Sequence, residues 1–202
     1  MLDESLMSLD PIDEFRLWLS AASAYAGAPL FDPTAMTLAT AGRDGRVSAR
    51  MVLLKDFGVE GFIFYSNYTS RKAAQLQENP WAALLLHWPH LQRQVRIEGI
   101  VTRISRAESE RYFRSRPRES QIAAAISDQS QVIPNRKFLE DRFEALKAAV
   151  GAGPVPFPQT WGGYRLVPET MEFWEHRDNR LHDRIRYSRK ESGDWLRERL
   201  AP

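Results

Sequence analysis

Four stretches of this chain gather the residue types that grip anions and flat rings. Arg50-Met51-Val52-Leu53-Leu54-Lys55 sets two cations five positions apart. Strand side chains alternate faces, so an odd separation sends Arg50 and Lys55 to opposite sides unless a bulge intervenes, and each could then serve its own phosphate. Tyr65-Ser66-Asn67-Tyr68-Thr69-Ser70-Arg71-Lys72 runs from a strand end into a helix start, where unsatisfied N–H groups, hydroxyls and two cations suit an anion. Taken alone, Ser70 there is only an N-cap. Tyr112, Arg116 and Ser120 follow at steps of four, with Gln129-Ser130 beyond them. A phenol, a guanidinium and a hydroxyl on one helix face, or flanking a helix junction, can converge on one phosphate. The fourth stretch runs from Trp174 to Arg184. Within it Arg180 and His182, two apart on a segment read as extended, project the same way, and that pair suits a substrate with an ionisable ring oxygen.

Other chemistries are excluded by what the sequence lacks. The chain has no cysteine, which removes disulfides, thiol catalysis, zinc ribbons and iron–sulfur clusters. It contains no GxGxxG, no GxxxxGK[ST], no HExxH and no nucleophile elbow, so standard dinucleotide, P-loop, zincin and serine-hydrolase sites are not expected, and no metal site is assigned. Net charge is +2 from 28 basic and 26 acidic residues, too balanced for a typical nucleic-acid binder. The distribution is uneven: Arg93 to Arg118 holds eight arginines against three glutamates, and His176 to Lys190 six basic residues against two aspartates. Local basic zones in a nearly neutral chain point to small anionic ligands. The acidic N-terminus lacks a signal-like run and no stretch is long and apolar enough for a membrane span, so the cytoplasm is the expected location.

The elements that must carry these residues can be read from periodicity. One domain is expected, with a helical segment over residues 1–30 and the remaining residues 31–202 forming the main body. Residues 11–26 place Ile12, Phe15, Trp18, Leu19, Ala22 and Tyr25 at helical spacing. Strands are expected at Ala35–Thr40 and Val47–Lys55 around the turn Gly42-Arg43-Asp44-Gly45, then at Phe62–Asn67. Ser70 opens a short helix to Glu78, followed by strands at Trp81–Trp88 and Gln94–Ile104. Ser105-Arg-Ala-Glu108 has capping-box spacing, Pro117 forces a break near Arg116, and Asn135–Val150 is a further helix before a Gly/Pro loop at 151–158. The tail returns to strands at Tyr164–Val167, Met171–Trp174, Ile185–Arg189 and Trp195–Leu200. Short strands, tight turns and inserted helices predict a mainly β, α+β architecture built on an antiparallel barrel.

In order, RMVLLK, FYSNYTSRK, RQVRIEG, YFRSRPRESQI, SDQS, WGGYRL, EFW, RLHDR and ERLAP resemble the pyridoxine/pyridoxamine 5′-phosphate oxidase family from about Asp32 to Pro202. The resemblance implies an FMN-binding split barrel and a homodimer with flavin at the subunit interface. It implies FMN contacts from Arg50, Met51, Val52, Leu53, Leu54, Lys55, Tyr65, Ser66, Arg71, Lys72, Gln94, Gln129, Ser130, Trp174 and Arg184. By the same resemblance Lys55, Tyr112, Arg116 and Ser120 hold the substrate phosphate. Arg180, Leu181 and His182 lie at the pyridine ring, with Arg180 and His182 catalytic. The implied reaction oxidises pyridoxamine or pyridoxine 5′-phosphate with dioxygen, giving pyridoxal 5′-phosphate and hydrogen peroxide. The chain departs from that pattern in three places. No Arg-Arg-x-Tyr segment stands before Asp10, Ala123 and Ala125 replace the usual Gly and Trp after Ser120-Gln-Ile, and Glu175-His176 replaces Gln-Gly. Alternatives are a flavin oxidase of another aromatic substrate (phenazine-type), a non-catalytic split barrel binding flavin or haem, and a basic RNA- or DNA-binding module.

Overall fold

The computed structural model describes residues 2–25 and 31–202. Nine strands form one antiparallel sheet whose main path runs β2-β1-β5-β6-β7-β4-β3, with β8 on β7 and β9 on β8. β1 (Ala35–Ala41) and β2 (Val47–Leu53) make the expected hairpin, Ala35 opposite Leu53 and Ala41 opposite Val47. Its turn closes through Gly45 N–H on Gly42 O, and Gly45 has φ +74°, which a residue without Cβ adopts freely. β2 stops at Leu53 rather than reaching Lys55, because Leu54 turns into the core and Lys55 N–H crosses to Ile63 O on β4 (2.8 Å). β3 (Asp56–Gly58), too short to show alternation, pairs with β4 (Gly61–Asn67).

α2 (Arg71–Glu78) starts at Ser70, whose side chain accepts from Ala73 N–H, and ends before β5 (Trp81–Trp88). β6 (Arg93–Arg103) leads into α3 (Arg106–Ser115), whose N-terminus carries the full Ser105/Glu108 capping box, a device that contributes about 1 kcal/mol. Pro117 separates α3 from α4 (Arg118–Ile126), leaving Arg116 at the junction. α5 (Arg136–Val150) is capped by Asn135.

Two expectations are corrected. Tyr164–Val167 and Met171–Trp174 are parts of one 15-residue strand, β7 (Trp161–Glu175). Pro168 does not break it because the pairing slips there: Glu98 faces Thr170 and Gly99 faces Pro168, so Glu169 bulges out of β7 beside the residue that cannot donate to the ladder. Gly99 lies so close to that bulge that a Cβ there would stand 1.9 Å from Val167 O. The segment around Arg180 is not extended: Asp178–Arg180 is a 3₁₀ turn with Asn179 and Arg180 at φ +57° and +61°, ahead of β8 (Asp183–Arg189) and β9 (Trp195–Arg199). So Arg180 and His182 are not set side by side by strand alternation.

α1 (Pro11–Ser23) lays Phe15, Trp18 and Ala22 into the open side of the sheet. Phe15 meets Phe62 edge-on at 5.1 Å and Trp18 meets Phe173 at 5.1 Å. The sequence places the end of this helix at Ala26, which lies outside the described residues, as do residues 27–30 at the boundary of the helical segment. Leu38, Leu84, Leu86, Val95, Ile97, Leu166, Met171 and Ile185 fill the same core. A second, smaller core (Phe113, Ile122, Val155, Trp161) holds α3 and α4 against the start of β7.

Candidate active site

A cavity of about 470 Å³ opens where β2, β4, α2, α3 and α4 meet. β2 and the turn after it supply Arg50, Met51, Val52, Leu53 and Lys55; β4 supplies Tyr65 and Ser66, and α2 its first-turn Lys72. From the helical side come Tyr112, Arg116 and Gln129. Since Lys55 sits beyond the strand, the odd spacing from Arg50 no longer sends the two cations to opposite sides: both border one cavity.

One end of this cavity is a cation cluster without a counter-ion. Lys72 is buried, and its ammonium donates to Ser66 Oγ (3.0 Å), Ser70 Oγ (3.3 Å) and Gln129 Oε1 (2.7 Å), all neutral. Burial, with the nearby Arg50, pushes the Lys72 ammonium down to about 8. Arg50 donates to Leu38 O (3.0 Å) and Thr40 Oγ1 (2.7 Å), again neutral acceptors, and burial lowers it too, with Arg71 adding repulsion. Among the described residues no carboxylate forms an ion pair with Arg50, Arg71 or Lys72. A cation kept in a protein without a carboxylate is an anion site by its chemistry, because charge burial is costly until a counter-charge arrives.

The other end is aromatic. Tyr65 and Tyr112 stack at 3.9 Å between centroids, and Trp161 lies parallel to Tyr65 at 5.2 Å. Arg116 sits over the Trp161 ring (4.9 Å to its centroid), and its Nη1 is buried with no hydrogen-bond partner. Burial lowers the Arg116 guanidinium and pushes the Tyr65 phenol up to about 12; the Tyr112 phenol is raised by burial as well. Both phenols therefore stay protonated donors at neutral pH. An orphaned guanidinium N–H beside two phenols is built for an oxyanion, since leaving such a donor unmade costs more than a typical hydrogen bond returns.

Some expected residues border this cavity without lining it. Leu54 is packed in the core. Arg71 is exposed at the mouth of a neighbouring groove with Arg43 and Arg46. Ser120 lies on α4 one turn before Ala123 and Ala124, which do line it, and Ser130 (φ +74°) follows Gln129 on the surface. Ala124, Ser127 and Trp161 also line the cavity and have no role assigned from the sequence; Asn67, inside the stretch from Tyr65 to Lys72, and Ala123 line it too. Asn67 Nδ2 donates to Ser127 O (2.9 Å), fastening the loop after α4 onto β4. For Trp161 the signal was available: an aromatic beside Gly162-Gly163, whose bare backbone admits Tyr68 and Ile104 within 3 Å of where a Cβ would be.

A further group of expected residues gathers elsewhere, on the C-terminal half of the sheet. Gln94 pairs with Trp174, and Trp174 with Arg184, across β6, β7 and β8. Arg184 grips Glu172 through Nε and Nη2 (2.8 and 3.1 Å). The His182 ring lies 4.7 Å from Trp174, while Arg180 and Leu181 are exposed on the adjoining turn. None of these six residues lines the cavity. Among the described residues there is no cluster of acidic and histidine side chains able to hold a metal, and no helix is long and apolar enough to cross a membrane.

Comparison with known proteins gives the family. Residues 27–149 match the family model described as pyridoxamine 5′-phosphate oxidase, and residues 161–202 that described as pyridoxine 5′-phosphate oxidase C-terminal dimerisation region. A pyridoxine/pyridoxamine 5′-phosphate oxidase of Gloeothece citriformis is 51% identical over 201 residues, covering 100% of this chain and 92% of that protein. One from Salinibacter ruber is 51% identical over 195 residues, 96% of this chain and 89% of that one. Among solved structures, PhzG from Burkholderia lata in complex with tetrahydrophenazine-1-carboxylic acid superposes with a TM-score of 0.91 at 32% identity, covering 100% and 98% of the two chains. A pyridoxamine 5′-phosphate oxidase-related, FMN binding protein of Nostoc punctiforme has the same fold (TM-score 0.75, 20% identity, 97% and 100% covered). The architecture is thus the FMN-binding split barrel, and the chain belongs to the pyridoxine/pyridoxamine 5′-phosphate oxidase family.

Proposed function

We propose that this chain is an oxidase of vitamin B6 phosphates: pyridoxamine or pyridoxine 5′-phosphate and dioxygen go in, and pyridoxal 5′-phosphate and hydrogen peroxide come out. FMN is its cofactor, and the residues suit it: a buried, carboxylate-free lysine with Arg50 beside it and the Ser66 hydroxyl and Gln129 amide at hand is a cradle for a phosphate tail. Bound there, FMN supplies the two-electron acceptor that no side chain can provide. The chain's own work is binding and orientation. Lys72, Arg50 and Arg71 hold the cofactor phosphate, while Met51 to Leu53 and Gln129 border the space beside it. Lys55, Tyr112, Arg116 and Ser120 hold the substrate phosphate, which fixes the pyridine ring and makes the transfer effectively intramolecular.

The single observation that carries this reading is the orphaned Arg116 Nη1 in a cavity that already has a separate cation cluster. Two anion cradles in one cavity fit a phosphorylated cofactor and a phosphorylated substrate together. Trp161 and Trp174 stand at opposite ends of β7, which at about 3.3 Å per residue puts them up to roughly 40 Å apart along the strand. Gln94, Trp174, Arg180, His182 and Arg184 therefore serve the cavity of a second copy, in a homodimer whose C-terminal region matches a dimerisation module. Arg180 and His182 would orient the ring and stabilise charge at its oxygen or amine.

Purified protein reconstituted with FMN should form pyridoxal 5′-phosphate and peroxide from pyridoxamine 5′-phosphate. Arg116→Ala should raise KM about ten- to a hundredfold with a smaller change in kcat, and Arg180→Ala should mainly lower kcat. Unchanged kinetics in both variants would remove the assignment. The PhzG likeness supports a second reading, oxidation of a non-phosphorylated tricyclic substrate. An assay of both substrate types side by side decides, and the Arg116 variant should matter little if the tricyclic is the true one.

A further inference from the structure

The β7–β8 connection, which carries Arg180 and His182, is closed at its base by the Glu175–Asp183 ladder pair and, across the side chains of that pair, by Arg177. Arg177 donates from Nε to Asp183 Oδ2 (2.7 Å) and from Nη2 to Glu175 Oε1, tying the last residue of β7 to the first of β8. Each carboxylate is also held from its far side. Arg93 on β6 reaches Glu175 (2.7 Å), while Arg199 on β9 and the Leu2 N–H reach Asp183 (2.6 and 3.0 Å). The side chains of Glu175 and Asp183 are only 11% and 8% exposed, so these are not the rim ion pairs that contribute almost nothing. Burial alone would raise the Asp183 carboxyl, yet Arg177, Arg199 and the Leu2 N–H hold it below its ordinary value.

Inside this tie the chain does something unfavourable. Asn179 and Arg180 are consecutive non-glycine residues in the left-handed region, a conformation that persists only where the surroundings over-determine it. Arg177 also acts through its main chain: its N–H donates to His182 Nδ1 (3.1 Å). A ring nitrogen that accepts carries no proton, so the neutral imidazole has its proton on Nε2. Trp174 at 4.7 Å and His176 at 5.0 Å flank that ring.

We propose that Arg177 is the positioning residue of this loop: its guanidinium locks the left-handed turn that aims Arg180, and its N–H fixes His182 as the Nε2–H tautomer, a hydrogen-bond donor toward the substrate. The inference rests on the reading that His182 meets the substrate ring, and it extends that reading to a residue that touches neither substrate nor cofactor. It also gives Glu175 a definite task as an anionic anchor of the tie.

The test uses protein with ¹⁵N-labelled histidine, with and without FMN, and the His182 signals identified by their loss in His182→Asn. In the unaltered chain Nδ1 of His182 should resonate as an unprotonated nitrogen and Nε2 as a protonated one. Arg177→Ala keeps that N–H but releases the turn whose geometry holds it on Nδ1, so it should populate both tautomers and lower kcat about tenfold, with KM changed less than about twofold and FMN retention unchanged. Arg177→Lys, which keeps the charge but cannot span both carboxylates, should fall between, and it carries the test if the alanine variant does not fold. A protonated Nδ1 in the unaltered chain overturns the proposal, as do Arg177 variants that keep both the original spectrum and kcat. Full activity in His182→Asn alongside a changed spectrum in Arg177→Ala would instead remove His182 as a substrate contact and leave the positioning role standing.

Discussion

Lys72 shows most directly how burial prepares a residue for its ligand. Its ammonium is lowered to about 8 because it has left water without meeting a carboxylate. A folded-state value below that of the unfolded chain means the unfolded state binds more protons between about pH 8 and 10.5, so this group makes the apo-protein more stable as pH rises through that window. A phosphate reverses the preference, since it favours the charged form. Once the FMN phosphate is doubly ionised, above about pH 7, FMN affinity should therefore be flat up to about pH 8 and then weaken by up to about tenfold per pH unit, as followed by quenching of flavin fluorescence. Lys72→Met should bind more weakly and lose that slope; an affinity level through pH 9.5 in the unaltered chain would contradict the assignment. Spacing alone marked this lysine, but it could not tell a solvated first-turn cation from a buried one. The difference depends on Gln129, 57 residues away, reaching its ammonium.

At the scale of elements, local chemistry was legible wherever it was decided locally. The hairpin turn at Gly42–Gly45, the Ser105 capping box and the break at Pro117 all follow from residues within a few positions of each other. What escaped were features decided by a neighbour across the sheet. Pro168 reads as a strand end until its pairing with Gly99 and the bulge at Glu169 are seen; Asn179 permits a left-handed turn, but nothing local shows that Arg180 follows it there. The Gly99 approach can be tested alone. Gly99→Ala would push a methyl against Val167 O and the following proline, and should cost about 2 kcal/mol or more in denaturant unfolding. Gly58→Ala, at a site with no atom within 4 Å, should stay within about 0.5 kcal/mol and serves as the control.

For the whole molecule, the uninterrupted run of β7 has a consequence that reaches past any one polypeptide. On the proposed assignment, a strand that keeps its two functional ends far apart makes each subunit half a donor and half a recipient. Light scattering should then give twice the mass of the chain. Two impaired variants should also rescue each other when assayed at substrate well below the raised KM of Arg116→Ala: on the proposed reading that change spoils only its own cavity, and His182→Ala only its neighbour's. Co-refolded in equal amounts, they would assort so that half the pairs are hybrids, each with one intact centre, and about a quarter of full turnover should return. Self-contained subunits would give back nothing.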